Sequence, residues 1–317
     1  MIDPVPGPLQ EPAGLYTAAS GLSEDPGLRG LPLVMGFTGF ADAGQAVRQV
    51  VDELIREQSE GAVVAFDADQ LLDYRSRRPR IRFVEDHLEG YSPPELALYR
   101  LADGLGRPYL LLAGPEPDLQ WERFVRAVVG LVEHLEVTAT AWLHAIPMPV
   151  PHTRPLGVTV HGSRPDLLEG ISRWKPTVEF PAAIGHLLEL RLIEGGHDVT
   201  GFVVHVPHYL AEAEYPGAAV TGLEHLGAAT GLMLPSDRLR EAAREVERQV
   251  AEQVAASAEV RELVAALEQR FDDRSADEPR RSLLAGPADA LPTAEDLGAA
   301  VEAYLAARSE GEGSEPD

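Results

Sequence analysis

The sequence predicts an α/β fold: a three-layer sandwich with a mostly parallel central sheet and a C-terminal helical extension. Two patterns carry this reading. Short apolar runs recur at Leu31–Phe37, Ala62–Phe66, Tyr109–Ala113, Val137–Ile146 and Val199–Val206. They are continuous rather than alternating, which marks strands covered on both faces. Stretches with helical spacing of apolar residues lie between them, and alternating strands and helices build a sheet sandwiched by helices. At 317 residues the chain suits one large domain with tails.

Residues 1–30 are rich in Pro and Gly without a sustained period and read as a flexible arm. The core domain is expected over 31–235. After the first strand, Val47, Val50, Val51, Leu54 and Ile55 form one face of a helix from about Ala43 to Glu57. Asp67–Arg78 reads as a loop. Arg80–Val84 alternates, as an edge strand or half a hairpin does. Glu95–Leu101 fits strand and helix equally. Phe124, Val125, Val128, Val129 and Val132 mark a helix over Leu119–Leu135, and Val158–Val160 is a short strand after a proline-dense loop. Ala182–Ile193 is a helix ended by Gly195-Gly196, and Pro216–Leu232 is a helix of small residues. A long helical segment over 236–272 follows Ser236, with a break near Ala256-Ser257. Residues 273–317 read as a linker, a short helix from Thr293 to Ala307 and an acidic tail.

Composition removes several function classes. Net charge is −24, which repels phosphate backbones. The one basic cluster, Arg75 to Arg82, reads as a loop and edge strand whose arginines pair with the acidic surface, so no nucleic-acid partner is expected. No apolar run reaches membrane-span length, and the first residues lack a signal-peptide pattern; the chain is expected to be cytoplasmic, with no membrane partner. There is no cysteine, hence no thiolate metal site or Cys nucleophile, and Lys175 is the single lysine. No cofactor motif and no metal-ligand set is found: Gly36-Phe37-Thr38-Gly39 is not a dinucleotide fingerprint, and His205 with His208 makes only half a site.

The candidate site residues follow predicted strands, where ligands bind in open α/β sheets. Asp42 with Gln45 three residues on suits a capping box, or a functional acid at the ligand edge. Glu116 and Asp118 suit a Mg²⁺ site or an acid–base pair; alternatively Asp118 caps a helix beginning at Leu119 and Glu116 complements its positive end. Trp121 packs beneath that loop or anchors a partner. His152 and Arg154, between prolines, suit an anion site, or a lock in which Arg154 pairs with Glu116 or Asp118 across the edge.

Three segments also carry a family resemblance. Gly114-Pro115-Glu116-Pro117-Asp118 followed by Trp121, Gly36–Gly44, and Pro151-His152-Thr153-Arg154-Pro155 together resemble the bacterial branch of the proteasome assembly chaperone 2 family, over roughly Leu33 to Phe271. The resemblance implies a phosphorylase/hydrolase-like fold, a self-associating homotrimer, and a non-enzymatic binding or assembly role toward a protein partner, proteasome-related or other. It also marks Tyr215, in a Tyr-containing turn, as a contact residue. Eukaryotic relatives engage the proteasome through a C-terminal hydrophobic-Tyr-x tail; here Ala303-Tyr304-Leu305 is internal, so that mode is not expected. The alternative is an enzyme acting on a small anionic substrate, either nucleoside phosphorylase/hydrolase-like or an ATP-dependent ligase. One lysine and no phosphate loop weigh against the ligase.

Overall fold

The computed structural model describes residues 10–22, 24–56, 61–168 and 177–275. Its strands are β1 (Tyr16–Ala18), β2 (Leu33–Thr38), β3 (Val64–Phe66), β4 (Arg82–Val84), β5 (His87–Glu89), β6 (Ala97–Ala102), β7 (Pro108–Pro115), β8 (Thr140–Met148), β9 (Val158–Gly162) and β10 (Val199–Pro207). Its helices are α1 (Ala46–Ile55), α2 (Ala68–Leu71), α3 (Trp121–His134), α4 (Pro165–Leu168), α5 (Ile184–Glu194), α6 (Pro216–Thr230), α7 (Asp237–Ala256) and α8 (Ala258–Ser275).

The most apolar runs take the middle of the sheet. Eight strands lie in the order β1-β3-β6-β7-β2-β8-β10-β9. The central four, β7, β2, β8 and β10, are parallel, with Leu33 opposite both Leu110 and Thr140. Antiparallel strands flank them on each side. Helices α1 and α6 cover one face and α3 and α5 the other, while α7 packs on α6 and α8 on α7. Because adjacent side chains point to opposite faces, Leu143 meets α6 and Trp142 meets α5: a Cβ at Gly222 would lie 2.5 Å from Leu143, and one at Gly185 2.4 Å from the Trp142 ring. Burying Val47, Val50, Val51 and Leu54 of α1 stabilises the first layer by ~1.5–3 kcal/mol each before entropy is subtracted.

The segment Glu95–Leu101 resolves as strand β6, and Arg82–Val84 pairs with His87–Glu89 in a separate hairpin. The loop expected over Asp67–Arg78 contains the short helix α2. The break in the C-terminal helical segment falls at Ser257, whose backbone is extended. One expectation is corrected. The N-terminal arm is not loose over its described part: Tyr16–Ala18 pairs with β3, and Leu15, Leu22 and Leu28 are buried. Each leucine sits singly among Pro and Gly, so no period betrays the packing. Residues 1–9 and the helix expected at Thr293–Ala307 lie outside the described residues.

Candidate functional site

Parallel strands deliver their carboxyl ends to one edge, so the loops after β2, β7, β8 and β10 are neighbours. All seven candidate residues lie in or just after these loops.

After β2, Asp42 forms a bridge to Ala145 of β8. Its Oδ1 accepts the amide of Val47 at 2.7 Å and its Oδ2 that of Arg48 at 3.3 Å. It therefore satisfies the positive end of α1, but not as a capping box. Gln45 adopts a left-handed backbone immediately before the helix and bonds Arg48 instead. Burial pushes the Asp42 carboxyl up to about 6, against the opposing pull of the two amides.

After β7, the two carboxylates diverge. Glu116 is buried, and its Oε1 accepts the amide of Ile184, the first residue of α5, at 2.6 Å. It complements the start of α5, not of α3. Asp118 does not cap α3 either. That helix begins at Trp121 after a left-handed Gln120, and Asp118 accepts Arg77 Nη2 at 3.0 Å and the Asp73 amide at 2.9 Å. Arg77 also donates to the Glu116 carbonyl. A left-handed residue shifts the helix start by two positions, and its non-glycine identity hides it in the sequence. The carboxylates are thus spent on separate structural bonds rather than on one site. Trp121 is half-buried, donates to the Pro117 carbonyl and packs against the core beneath the loop. The arginine cluster meets acids as expected, Arg75 at Asp73 and Arg82 at Glu89.

After β8, His152 receives the Tyr209 hydroxyl: Nδ1 lies 2.7 Å from it, and the His152 amide donates to the same oxygen at 2.8 Å. Burial lowers the pKa of this imidazole. The expected lock of Arg154 onto Glu116 or Asp118 is not formed. Arg154 instead grips Asp272 of α8 with two bonds of 2.8 and 2.7 Å and reaches Glu268 at 3.3 Å; Thr153 bonds Glu268 as well. The hydrogen bonds to Asp272 raise the guanidinium pKa further. The partner lies 118 positions downstream on a helix whose docking no local pattern specifies.

After β10, Tyr215 is buried, not a contact residue; its amide bonds the Gly44 carbonyl at 2.9 Å, and burial pushes the phenol up to about 12. Gly44 has φ 67°, and a Cβ there would lie 3.0 Å from Tyr215. His205 is half-buried, and its Nε2 lies 2.8 Å from the Thr159 hydroxyl. Among the described residues no group of three or more His, Asp or Glu is placed to hold a metal ion. None of the described helices is long and apolar enough to cross a membrane.

The charged groups of this edge are thus paired with one another or with the backbone. Phe40, Leu119 and Phe180, by contrast, are exposed there or just ahead of α5. Sequence reading did not pair Arg77 with Asp118 and missed Glu268 and Asp272; no spacing signal points to these pairings.

A central sheet, parallel in its middle, with helices on both faces and a carboxyl edge tied by its own ion pairs, defines a three-layer α/β protein. The comparisons name its family: the PAC2 family matches residues 36–254, and the chain belongs to it. Among solved structures it is similar to Rv2714, a Mycobacterium tuberculosis protein of unknown function. Identity is 44% and TM-score 0.79, over 85% of this chain and 94% of that one. A Corynebacterium glutamicum protein of unknown function is 35% identical, with TM-score 0.78 over 84% and 99%. The proteasome-assembly chaperone homologue Rv2125 of M. tuberculosis is 25% identical, with TM-score 0.67 over 74% and 100%. No curated protein matches the chain.

Proposed function

We propose that this chain is a non-enzymatic binding and assembly protein of the PAC2 type, which self-associates as a homotrimer and holds a protein partner. The observation that carries the reading is the β4–β5 hairpin. It forms its own two-stranded sheet, with Ile81, Phe83, Leu88 and Tyr91 all exposed. An isolated hairpin is marginal in water, and this one offers apolar side chains to a neighbour. Exposed apolar clusters of this kind mark protein contacts.

The chaperone kinship of Rv2125 supports a protein partner, with a proteasome-related one first in order. The phosphorylase-like alternative would need His152 and Arg154 open to an anion. Tyr209 already occupies Nδ1 of His152, and Asp272 holds Nε and Nη2 of Arg154. A cytoplasmic location fits the same reading. The experiment is light scattering at micromolar concentration, with partner capture by cross-linking in the native cell. A mass of 34.2 kDa, that of one chain, would refute self-association.

A further inference from the structure

Three histidines and a glutamate gather where α5 crosses the sheet. Trp142 and His144 come from β8, His161 from β9, and His186 and Glu189 from α5. Gly201 of β10 stands opposite both Trp142 and His161. A Cβ there would lie 2.2 Å from the His161 ring and 2.7 Å from Trp142 Nε1, so its absence admits both rings.

The hydrogen bonds fix the protons. Glu189 Oε2 accepts Trp142 Nε1–H at 2.6 Å, and Oε1 lies 2.8 Å from His161 Nδ1. An ionised carboxylate only accepts, so His161 carries its proton on Nδ1 and a lone pair on Nε2. That lone pair faces His144 Nε2 at 3.3 Å, so His144 carries its proton there. His144 Nδ1 is left as a buried acceptor with no hydrogen-bond partner.

This chain has one stable arrangement, and an added proton spoils it. On His161 Nε2 it sets two N–H groups against each other, or forces the His144 proton onto the buried Nδ1, which has no acceptor. On His144 Nδ1 it places a buried charge with no acceptor. The neighbours offer little relief. His186 stands edge-on to His144 at 4.8 Å and accepts the Ala183 amide, while His205 is bonded to Thr159. Glu116 lines the same small cavity as His144 but already holds the Ile184 amide. Burial lowers the pKa of both His144 and His186.

We propose that Glu189, His161 and His144 form a proton-operated latch fastening α5 to the sheet, and that uptake of one proton from solvent loosens α5 and the Val178–Ala183 segment before it. Phe180 packs against His186 at 5.1 Å, and Glu116 holds the first turn of α5, so the latch sets the geometry of the carboxyl edge. It operates in the chain alone and needs no partner.

Hydrogen exchange of the full chain at about pH 8 and about pH 5, corrected for intrinsic exchange chemistry, tests it. Below an onset in the histidine range, protection of Ile184–Glu194 falls up to about tenfold per pH unit while that of β10 holds. His144→Phe keeps a flat ring on Trp142, stacked at 4.6 Å in the native chain, and makes the response of α5 to pH shallower, with His186 left to titrate. Glu189→Gln carries the fall to lower pH before it levels off, because the charge that favours an imidazolium in the closed latch is gone; it serves as the test if His144→Phe does not fold. Constant protection of α5 across pH, a response unchanged in His144→Phe, a fall that levels off at the same pH in Glu189→Gln, or equal loss in α5 and β10 overturns the proposal.

Discussion

Replacing Glu116 tests whether the carboxyl edge is organised through a helix start rather than a ligand site. The side chain is 6% exposed, and its Oε1 lies 2.6 Å from the Ile184 amide. A hydrogen bond to a charged group contributes about 1.5–3 kcal/mol, against about 1 kcal/mol for a neutral one. Glu116→Gln keeps an acceptor and loses the charge, so it should cost about 1–2 kcal/mol. Glu116→Ala also leaves a buried N–H unpaired and a void, and should cost about 3–4 kcal/mol. In a domain of this size each kcal/mol lowers Tm by about 2–4 °C. The Gln variant should then melt about 4 °C lower and the Ala variant about 10 °C lower. Exchange at the first amides of α5 should rise in both. An Ala variant melting within about 1 °C of the parent, with α5 exchange unchanged, would show that this carboxylate is not what holds the helix.

Phe83→Ser with Leu88→Ser should shift the particle toward the 34.2 kDa monomer by light scattering without changing the melting of the core. Acid titration should reveal two opposed groups. Burial lowers His205 from 6.5 to about 4, so between these values the unfolded chain holds a proton the native imidazole lacks, and stability falls with pH by about 3 kcal/mol. Asp42, raised from 3.8 to about 6, does the reverse: there the native carboxyl is the protonated one. Urea titrations should therefore show a steeper acid loss in Asp42→Asn and a shallower one in His205→Asn; parallel slopes in all three proteins would sink the argument. Deleting residues up to Ala19 removes Leu15, buried against the core, and the strand paired with β3, and should cost at least the ~1.5–3 kcal/mol of the leucine. An unaltered urea midpoint would contradict this.

The strands were legible wherever apolar residues ran together, as at Tyr109–Ala113, because burial on both faces leaves no other residue type tolerable there. The break at Ser257 was legible from local pattern, and of the hairpin only its first strand, which reads equally as an edge strand. The edge was legible as a place, since chain direction alone puts those loops together. Its bonds were not. Glu116 finds its donor 68 residues on, and Arg154 finds Asp272 only because α7 and α8 fold back over α6. Such pairs depend on tertiary packing, which a single sequence does not encode in any spacing. Gln45 and Gln120 misled the helix starts for a different reason: a left-handed glutamine carries no compositional mark.

Strand β2 sits at the centre of the sheet but is made early. Its hydrogen-bonding neighbours are Leu110–Pro115 and Thr140–Leu143. Closing such distant pairings is entropically costly, and folds dominated by them form slowly. During synthesis Val34 and Met35, both fully buried in the end, wait for Leu111 and Leu112 to pair one edge and for Ala141 and Trp142 to pair the other. A fragment that stops before Pro108 should retain this strand with two unpaired edges, and one that stops before Thr140 with one; both should collect into aggregates rather than fold.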